Sequence, residues 1–333
     1  MVIEILLYFQ KFLGRLSLDL CPLCNSLLGE PVTLYSNSIR LKTKAEAEGK
    51  SVRDDLGDRM KADYERRTRV LLPRRTYTIV RVDGKAFHQY TRGLVRPFDF
   101  DLMADMDTTA IALCKEISGC AFAYVQSDEI SLLLTDFSTA ATEAWFDGSL
   151  QKIVSITASI ATAAFNRARL VRSLRRNLEA NEEALSPEGW ETFPMAHFDS
   201  RAFTIPNHGE VANYFLWRQQ DATRNSIGMA TRAEYPHEAV DGKSTDAMQE
   251  MLWQRGINWN DYPDTCKRGR MIVRTTRRET VTYLHKRTGE EQTAEVERNL
   301  WQMEAPPVFS RDRDYLAARI PNLNPVRLEK REG

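Results

Sequence analysis

Ala121-Phe122-Ala123-Tyr124-Val125-Gln126-Ser127-Asp128-Glu129-Ile130-Ser131-Leu132-Leu133-Leu134 holds two short apolar runs joined by a polar, acidic turn. Each run has strand length, so the stretch predicts an antiparallel pair whose tip carries two carboxylates. Upstream, Tyr77-Thr78-Ile79-Val80-Arg81-Val82 is a β-branched strand candidate that ends on Asp83-Gly84. Between the two, Met103, Met106, Ala110, Leu113 and Ile117 recur at helical spacing and mark one face of a helix over Asp101–Ile117. Downstream, Ile153, Ile156, Ile160 and Ala164 mark a second helix that runs into an Arg-rich end, Arg167–Arg176. Asn177–Pro194 reads as a loop and His197–Ile205 as a strand stopped by Pro206. Asn207 with Glu210 resembles a capping box opening a long helix, Val211–Thr231. Ahead of all of these, Asp54–Arg69 is a charged amphipathic helix candidate that stops before Pro73.

The order β-α-β-β-α-β, with added helices, is an α+β arrangement of the ferredoxin-like kind. In that topology the third strand lies between the first and second and runs antiparallel to both. Asp83 and Asp128 are therefore expected at one end of the sheet. Two carboxylates there, near a backbone carbonyl, suit a pair of Mg²⁺ ions roughly 4 Å apart, because Mg²⁺ wants oxygen ligands held rigidly. Gly84 lets the main chain approach a phosphate or metal closely. The same residues equally fit a tight turn at Asp83-Gly84 and a hairpin loop at Asp128-Glu129. Pattern alone leaves both readings open.

The chain of 333 residues is long enough for one large or two small domains. Its 42% hydrophobic and 28% charged residues are those of an ordinary soluble globular protein. Basic and acidic side chains number 46 each, which argues against a protein held on nucleic acid by global charge but leaves room for a local basic surface. Five cysteines without framework spacing fit a reducing compartment. Cys21 and Cys24 form a lone CxxC with no second pair, so neither zinc nor redox chemistry is expected there. No run reaches the roughly 18 apolar residues that span a bilayer. Met1–Leu13 carries Glu4 and no basic flank, a poor signal peptide, so a cytoplasmic location is expected.

Residues 1–53 read differently from the rest: an apolar stretch with the CxxC, then a Lys/Glu-rich stretch, Lys42–Lys50. They fit a small appended helical element or an upstream sequence read from an early start, and we take them as a poorly integrated extension. Residues 54–235 carry the α+β order read above, and 236–333 read as a small C-terminal α/β extension that completes it.

The wider wording narrows the choice. Arg81-Val82-Asp83-Gly84-Lys85-Ala86-Phe87-His88, Arg96-Pro97-Phe98-Asp99 and Tyr124-Val125-Gln126-Ser127-Asp128-Glu129 resemble blocks of the tRNA-histidine guanylyltransferase family. So do Phe198-Asp199-Ser200-Arg201, Tyr214-Phe215-Leu216-Trp217-Arg218-Gln219-Gln220-Asp221 and Gly256-Ile257-Asn258-Trp259-Asn260. The blocks stand in the family's order over about residues 54–280. The resemblance implies a polymerase-like palm that adds nucleotides in the 3′-to-5′ direction to a tRNA 5′ end. ATP first activates a 5′-monophosphate, and GTP or another nucleoside triphosphate then attacks it. Asp83 and Asp128 are implied as the carboxylates for two Mg²⁺ ions, with the Gly84 carbonyl as a further ligand and Glu129 as a neighbouring acidic position. Nucleotide binding is implied for the loop Gly84, Lys85, Ala86, Phe87 and His88 with Arg96 and Ser127. The three basic side chains equally fit a solvated surface, and Ser127 equally fits a residue that holds the turn. A homotetramer is implied as well.

One departure stands out. Where eukaryotic members read Asp-Cys-His-Ile-Asn-Asn, this chain has Asp221-Ala222-Thr223-Arg224-Asn225-Ser226, so the histidine associated with G addition is Thr223. That resembles the bacterial and archaeal subgroup that repairs 5′-truncated tRNAs against a template, and puts strict non-templated guanylylation in doubt. Candidate tRNA contacts are Arg224, Asn225, Arg172, Arg175, Lys267 and Arg268; the Arg-rich runs equally fit solvated element faces. Trp217 and Trp259 read as core residues. The rival readings are a non-catalytic ferredoxin-like RNA-binding module, for which the third strand lacks base-stacking aromatics, and a palm-type nucleotide cyclase.

Overall fold

A computed structural model describes residues 54–180, 193–284, 289 and 291–323; the 1–53 extension, with its CxxC, lies outside them. The chain divides into two compact units, Met1–Glu65 and Arg66–Gly333. Of the first, Asp55–Met60 is a short helix capped by Asp54, whose carboxylate accepts from the Gly57 N–H at 2.9 Å, and Lys61–Glu65 continues as a wider π turn. Arg66–Thr68, in the second unit, is a 3-10 turn. The single helix expected over Asp54–Arg69 is thus broken into three pieces. None of them buries a residue, so no packed face enforces one helical geometry.

The second unit is built on β1 (Tyr77–Gly84), α1 (Phe100–Glu116), β2 (Cys120–Gln126), β3 (Glu129–Leu134), α2 (Leu150–Glu179), β4 (Phe198–Ile205) and α3 (His208–Glu234). After α4 (Thr245–Gln254) come two long strands, β5 (Arg270–Leu284) and β6 (Glu291–Glu304). The sheet order is β4-β1-β3-β2-β5-β6, and every neighbouring pair is antiparallel. The first four strands reproduce the ferredoxin-like order. The C-terminal part joins the same sheet, with Phe122–Val125 of β2 paired to Arg270–Val273 of β5.

Helices cover both faces of this sheet. Val80, Val82, Ile130 and Leu132 pack with Met106, Leu113 and Phe165 of α1 and α2. Ile79, Leu133, Phe122 and Tyr124 pack on the other face with Tyr214 and Phe215 of α3 and with Phe309 and Leu316. Every residue of β3 is therefore buried, the polar Glu129 and Ser131 on the α3 face included. An RNA-recognition module keeps one sheet face open for bases; here α3 occupies it.

Several local expectations shift. The Arg-rich run forms the last turns of α2, as expected, but the helix continues through Glu179 into the stretch expected as loop; 181–192 lie outside the described residues. Arg169 and Arg172 each reach the fully buried Asp105 of α1, at 3.2 and 2.8 Å. This charge-assisted clasp fixes α2 to α1. Ile156 faces outward, 39% exposed, because the buried stripe runs Ile153-Thr157-Ala161-Ala164 instead. Asn207 caps α3 as expected, its amide oxygen accepting from the Glu210 N–H at 2.9 Å.

Candidate active site

The strand register brings the two acidic tips together. Asp83 stands opposite Glu129 on β3 and opposite Asp199 on β4, and Glu129 stands opposite Gln126 on β2. Asp199, Asp83, Glu129 and Gln126 therefore form one transverse row on the α3 face of the sheet. Asp128 sits in the two-residue turn just beyond that row. The Gly84 N–H donates to the Asp128 carbonyl at 3.1 Å, tying the end of β1 to the turn. Ser127 adopts a left-handed conformation, φ 46°, that makes the turn tight.

The charges in this row are unequally compensated. Both Glu129 oxygens are engaged by Arg218 of α3, at 2.8 and 2.5 Å, and Oε1 also accepts from Ser131. Arg218 reaches on to Asp221 at 3.0 Å. Glu129 thus anchors the hairpin to α3, and its oxygens are occupied. Among the described residues Asp83 has one ion-pair partner, Arg201, at 3.7 Å. Asp128 is worse placed: burial pushes its carboxyl up to about 6 from 3.8, the charges of Asp83 and Glu129 push the same way, and hydrogen bonds from its own backbone and from Ser127 only partly oppose them.

That shift has a stability consequence. Below pH 4 the carboxyl is protonated folded or unfolded and costs nothing. Between about 4 and 6 the unfolded chain ionises first, so stability is lost as pH rises and stays lost above 6. Asp128→Asn should therefore raise the melting temperature of the metal-free protein at pH 8, by at most about 3 kcal/mol in unfolding free energy, with the gain vanishing at pH 4. Thermal unfolding in chelator at both pH values checks this; a variant less stable than wild type at pH 8 contradicts it.

A cavity of about 770 Å³ opens beside the turn. Gly84, Ala86, Phe87, His88, Arg96, Ser127 and Asp128 line it, so seven residues expected at the site from sequence share one cavity. Lys85, also expected there, is not on the lining. Its N–H instead bonds the His197 carbonyl at 2.8 Å, and the side chain is exposed. A methyl group on Gly84 would come within 2.2 Å of the Phe87 ring, so the glycine is required for that packing whatever else it does. The lining also includes Arg232 and His237, which the sequence reading missed. Arg232 has no ion-pair partner among the described residues, and the missing side chain of Gly228, one turn earlier, leaves room for its guanidinium, since a Cβ there would lie 3.2 Å from it. That four-residue Gly-to-Arg spacing was a readable signal. A second cavity of about 280 Å³ lies under α3, and Ser127, Asp128, Met229 and Arg232 line both.

The profile of the tRNAHis guanylyltransferase family matches residues 57–206. A bacterial tRNA(His) guanylyltransferase (Thg1)-like protein solved in complex with ATP is 38% identical with a TM-score of 0.63, over 79% of this chain and 98% of that one. The chain belongs to the tRNA(His) guanylyltransferase family. A bacterial member of the Thg1-like kind in complex with GTP is 37% identical, TM-score 0.60, over 80% and 99%. The tRNA(His) guanylyltransferase of Debaryomyces hansenii is 29% identical over 221 residues, 62% of this chain and 77% of that one.

For a guanylyltransferase-family chain, the basic residues expected to meet RNA are instructive, because much of that charge is used internally. Arg172 pairs with Asp105 and Asp101, and Arg176 with Asp101. Lys267 is buried, its Nζ donating to the Asn260 carbonyl at 2.6 Å and pairing with Asp264 at 3.1 Å; Arg268 pairs with the same carboxylate. Lys267 thus holds the Trp259 segment in place and is withdrawn from any RNA surface. Arg175 and Arg167 are exposed, with no ion-pair partner among the described residues. Arg224 and Asn225 are exposed on α3, each bonded to Asp221, and Asn225 lines the smaller cavity. Trp259 is core as expected, but Trp217 is 45% exposed, with the Arg218 guanidinium over its ring at 4.4 Å.

Proposed function

We propose that this chain is a nucleotidyltransferase that adds nucleotides in the 3′-to-5′ direction to a tRNA 5′ end, using Mg²⁺, ATP and GTP or another nucleoside triphosphate. The observation that carries the reading is the large cavity opening on Asp128, lined by His88, Arg96 and Arg232, beside a smaller cavity that Asp83 and Asp128 both line. The donor set fits Mg²⁺. Asp83 and Asp128 are hard oxygen donors at the ends of neighbouring elements, and burial without a nearby cation raises Asp128. Among the described residues no three His, Cys, Asp or Glu side chains gather as a metal cage, so the Gly84 carbonyl and substrate phosphates would complete the coordination, as is usual for Mg²⁺. When bound, the ions supply charge neutralisation of the triphosphate and a lower pKa for the attacking hydroxyl.

The chain's own residues bind and orient. His88, Arg96 and Arg232 face the phosphates across the cavity, and the apolar wall of Leu94, Val95, Leu102 and Met229 takes the base. Positioning and charge neutralisation are the main needs of such a transfer. In the first half-reaction the tRNA 5′-monophosphate oxygen attacks the α-phosphorus of ATP and expels pyrophosphate. In the second, the 3′-hydroxyl of the incoming nucleotide attacks the activated 5′-phosphate, a phosphodiester forms and AMP leaves. Arg218, through Glu129, holds the turn that carries Asp128.

Thr223, at the histidine position of eukaryotic relatives, favours templated repair over strict G addition. Incubation with 5′-labelled tRNAs, intact and 5′-truncated, and each nucleoside triphosphate separates the two. We expect extension of truncated tRNA by template-matched nucleotides; GTP addition to full-length tRNA-histidine alone would contradict it. Free thiols at Cys114, Cys120 and Cys266 accord with a cytoplasmic site of action, and no described helix is long and apolar enough to cross a membrane. By resemblance to the family, the active form is a homotetramer.

A further inference from the structure

Gln126 is 4% exposed, yet its side-chain oxygen has no hydrogen-bond donor among the described residues. A buried acceptor left unpaired is costly. Among the described residues two other buried side-chain atoms share this condition, Arg81 Nε and Tyr90 OH, and neither residue lines the cavities at Asp128. Gln126 lines the smaller one, beside Asp83, Asp128 and Asn225. Its place follows from the register: Phe122 and Tyr124 face α3, so Gln126, the next alternate residue of β2, faces α3 too, in the row with Glu129 and Asp83.

The unpaired atom calls for a donor, which limits what reaches it. Phosphates of a nucleotide have none to give at neutral pH, and the carboxylates around Gln126 have none. The base has donors, but the larger, apolar-walled cavity suits it better than a small cavity ringed by charge. The sugar joins base to phosphate and carries hydroxyl donors, and in the larger cavity it can turn a hydroxyl toward the smaller one where the two adjoin at Ser127, the residue after Gln126.

We propose that Gln126 Oε1 accepts a hydrogen bond from a ribose hydroxyl of the bound nucleoside triphosphate, which makes Gln126 a determinant of sugar specificity. The inference rests on the nucleotide-binding reading above. It is tested by equilibrium binding of GTP, 2′-deoxy-GTP and 3′-deoxy-GTP, with Mg²⁺, to the full chain and to its Gln126→Met and Gln126→Glu variants. The wild type should bind one deoxy analogue about 5–20-fold more weakly than GTP, the worth of one hydrogen bond. Gln126→Met should bind GTP weaker by the same factor and no longer distinguish that analogue. Gln126→Glu, which keeps an acceptor but has no amide donor, should still distinguish it. Equal binding of all three by wild type overturns the inference, and that arm decides even where a variant fails to fold. A uniform loss across all three in Gln126→Met, as expected if the oxygen meets only water or a cation, overturns it as well, as does loss of discrimination in a folded Gln126→Glu. A wild type that binds no GTP at all sinks the nucleotide reading instead.

Discussion

Asp83→Ala and Asp128→Ala each lower the rate of nucleotide addition by about 10³-fold or more, with tRNA affinity unchanged or slightly tighter. The size follows from what the carboxylates do: a divalent cation supplies several kcal/mol of transition-state stabilisation, and each 1.36 kcal/mol is tenfold in rate. The small effect on tRNA follows from charge. Removing a negative group beside the bound 5′ end does not weaken a polyanion's association, which depends on cations elsewhere. The two variants should also differ in stability. Asp83, partly exposed and near Arg201, is replaced with little change. Removing the buried Asp128 carboxyl relieves the folded state above pH 6. Single-turnover extension of a labelled tRNA and filter binding of the same RNA check the pair of claims. Extension by either variant at near wild-type rate contradicts the metal assignment.

Arg218→Met is the variant with the largest expected structural effect. Arg218 is 5% exposed and Glu129 8%, and the guanidinium is bonded to both Glu129 oxygens and to Asp221. Removing one partner of a buried pair leaves an uncompensated charge, at about 3–5 kcal/mol. A pair replaced by neutral groups of similar shape avoids that penalty. Urea unfolding of Arg218→Met should show the loss, and Glu129→Gln combined with Arg218→Met should recover most of it. A double variant as unstable as the single one shows that Arg218 acts by packing, on Trp217 for example, and not by neutralising Glu129. Activity should fall with Arg218→Met in the folded fraction too, because the turn carrying Asp128 loses its tie to α3.

The fold was legible in sequence where local pattern and global topology agree. The strand at Tyr77, the helix from Asp101 and the paired runs around Asp128 each carry their own period, and their order selects one antiparallel arrangement. That arrangement alone predicted that Asp83 and Asp128 meet. What could not be read was how side chains are shared between elements distant in sequence. Arg172 and Lys267 look like RNA contacts as members of basic runs; only the structure pairs one with Asp105 and buries the other beside Trp259. Glu129 reads as a free acidic position beside the metal carboxylates until Arg218, 89 positions away, takes both its oxygens. The break in the helix after Met60 was equally hidden, since charged side chains at helical spacing say nothing about whether a packed face exists to hold them.

The most direct test is the site of label incorporation when a 5′-truncated tRNA is incubated with ATP, Mg²⁺ and GTP labelled at its α-phosphate, analysed at single-nucleotide resolution. Growth of the RNA by template-matched guanosine at its 5′ end, with pyrophosphate and AMP released and no product from Asp128→Ala, is the expected result. Label at the 3′ end, or a yield of 5′ product that Asp128→Ala matches, would contradict it.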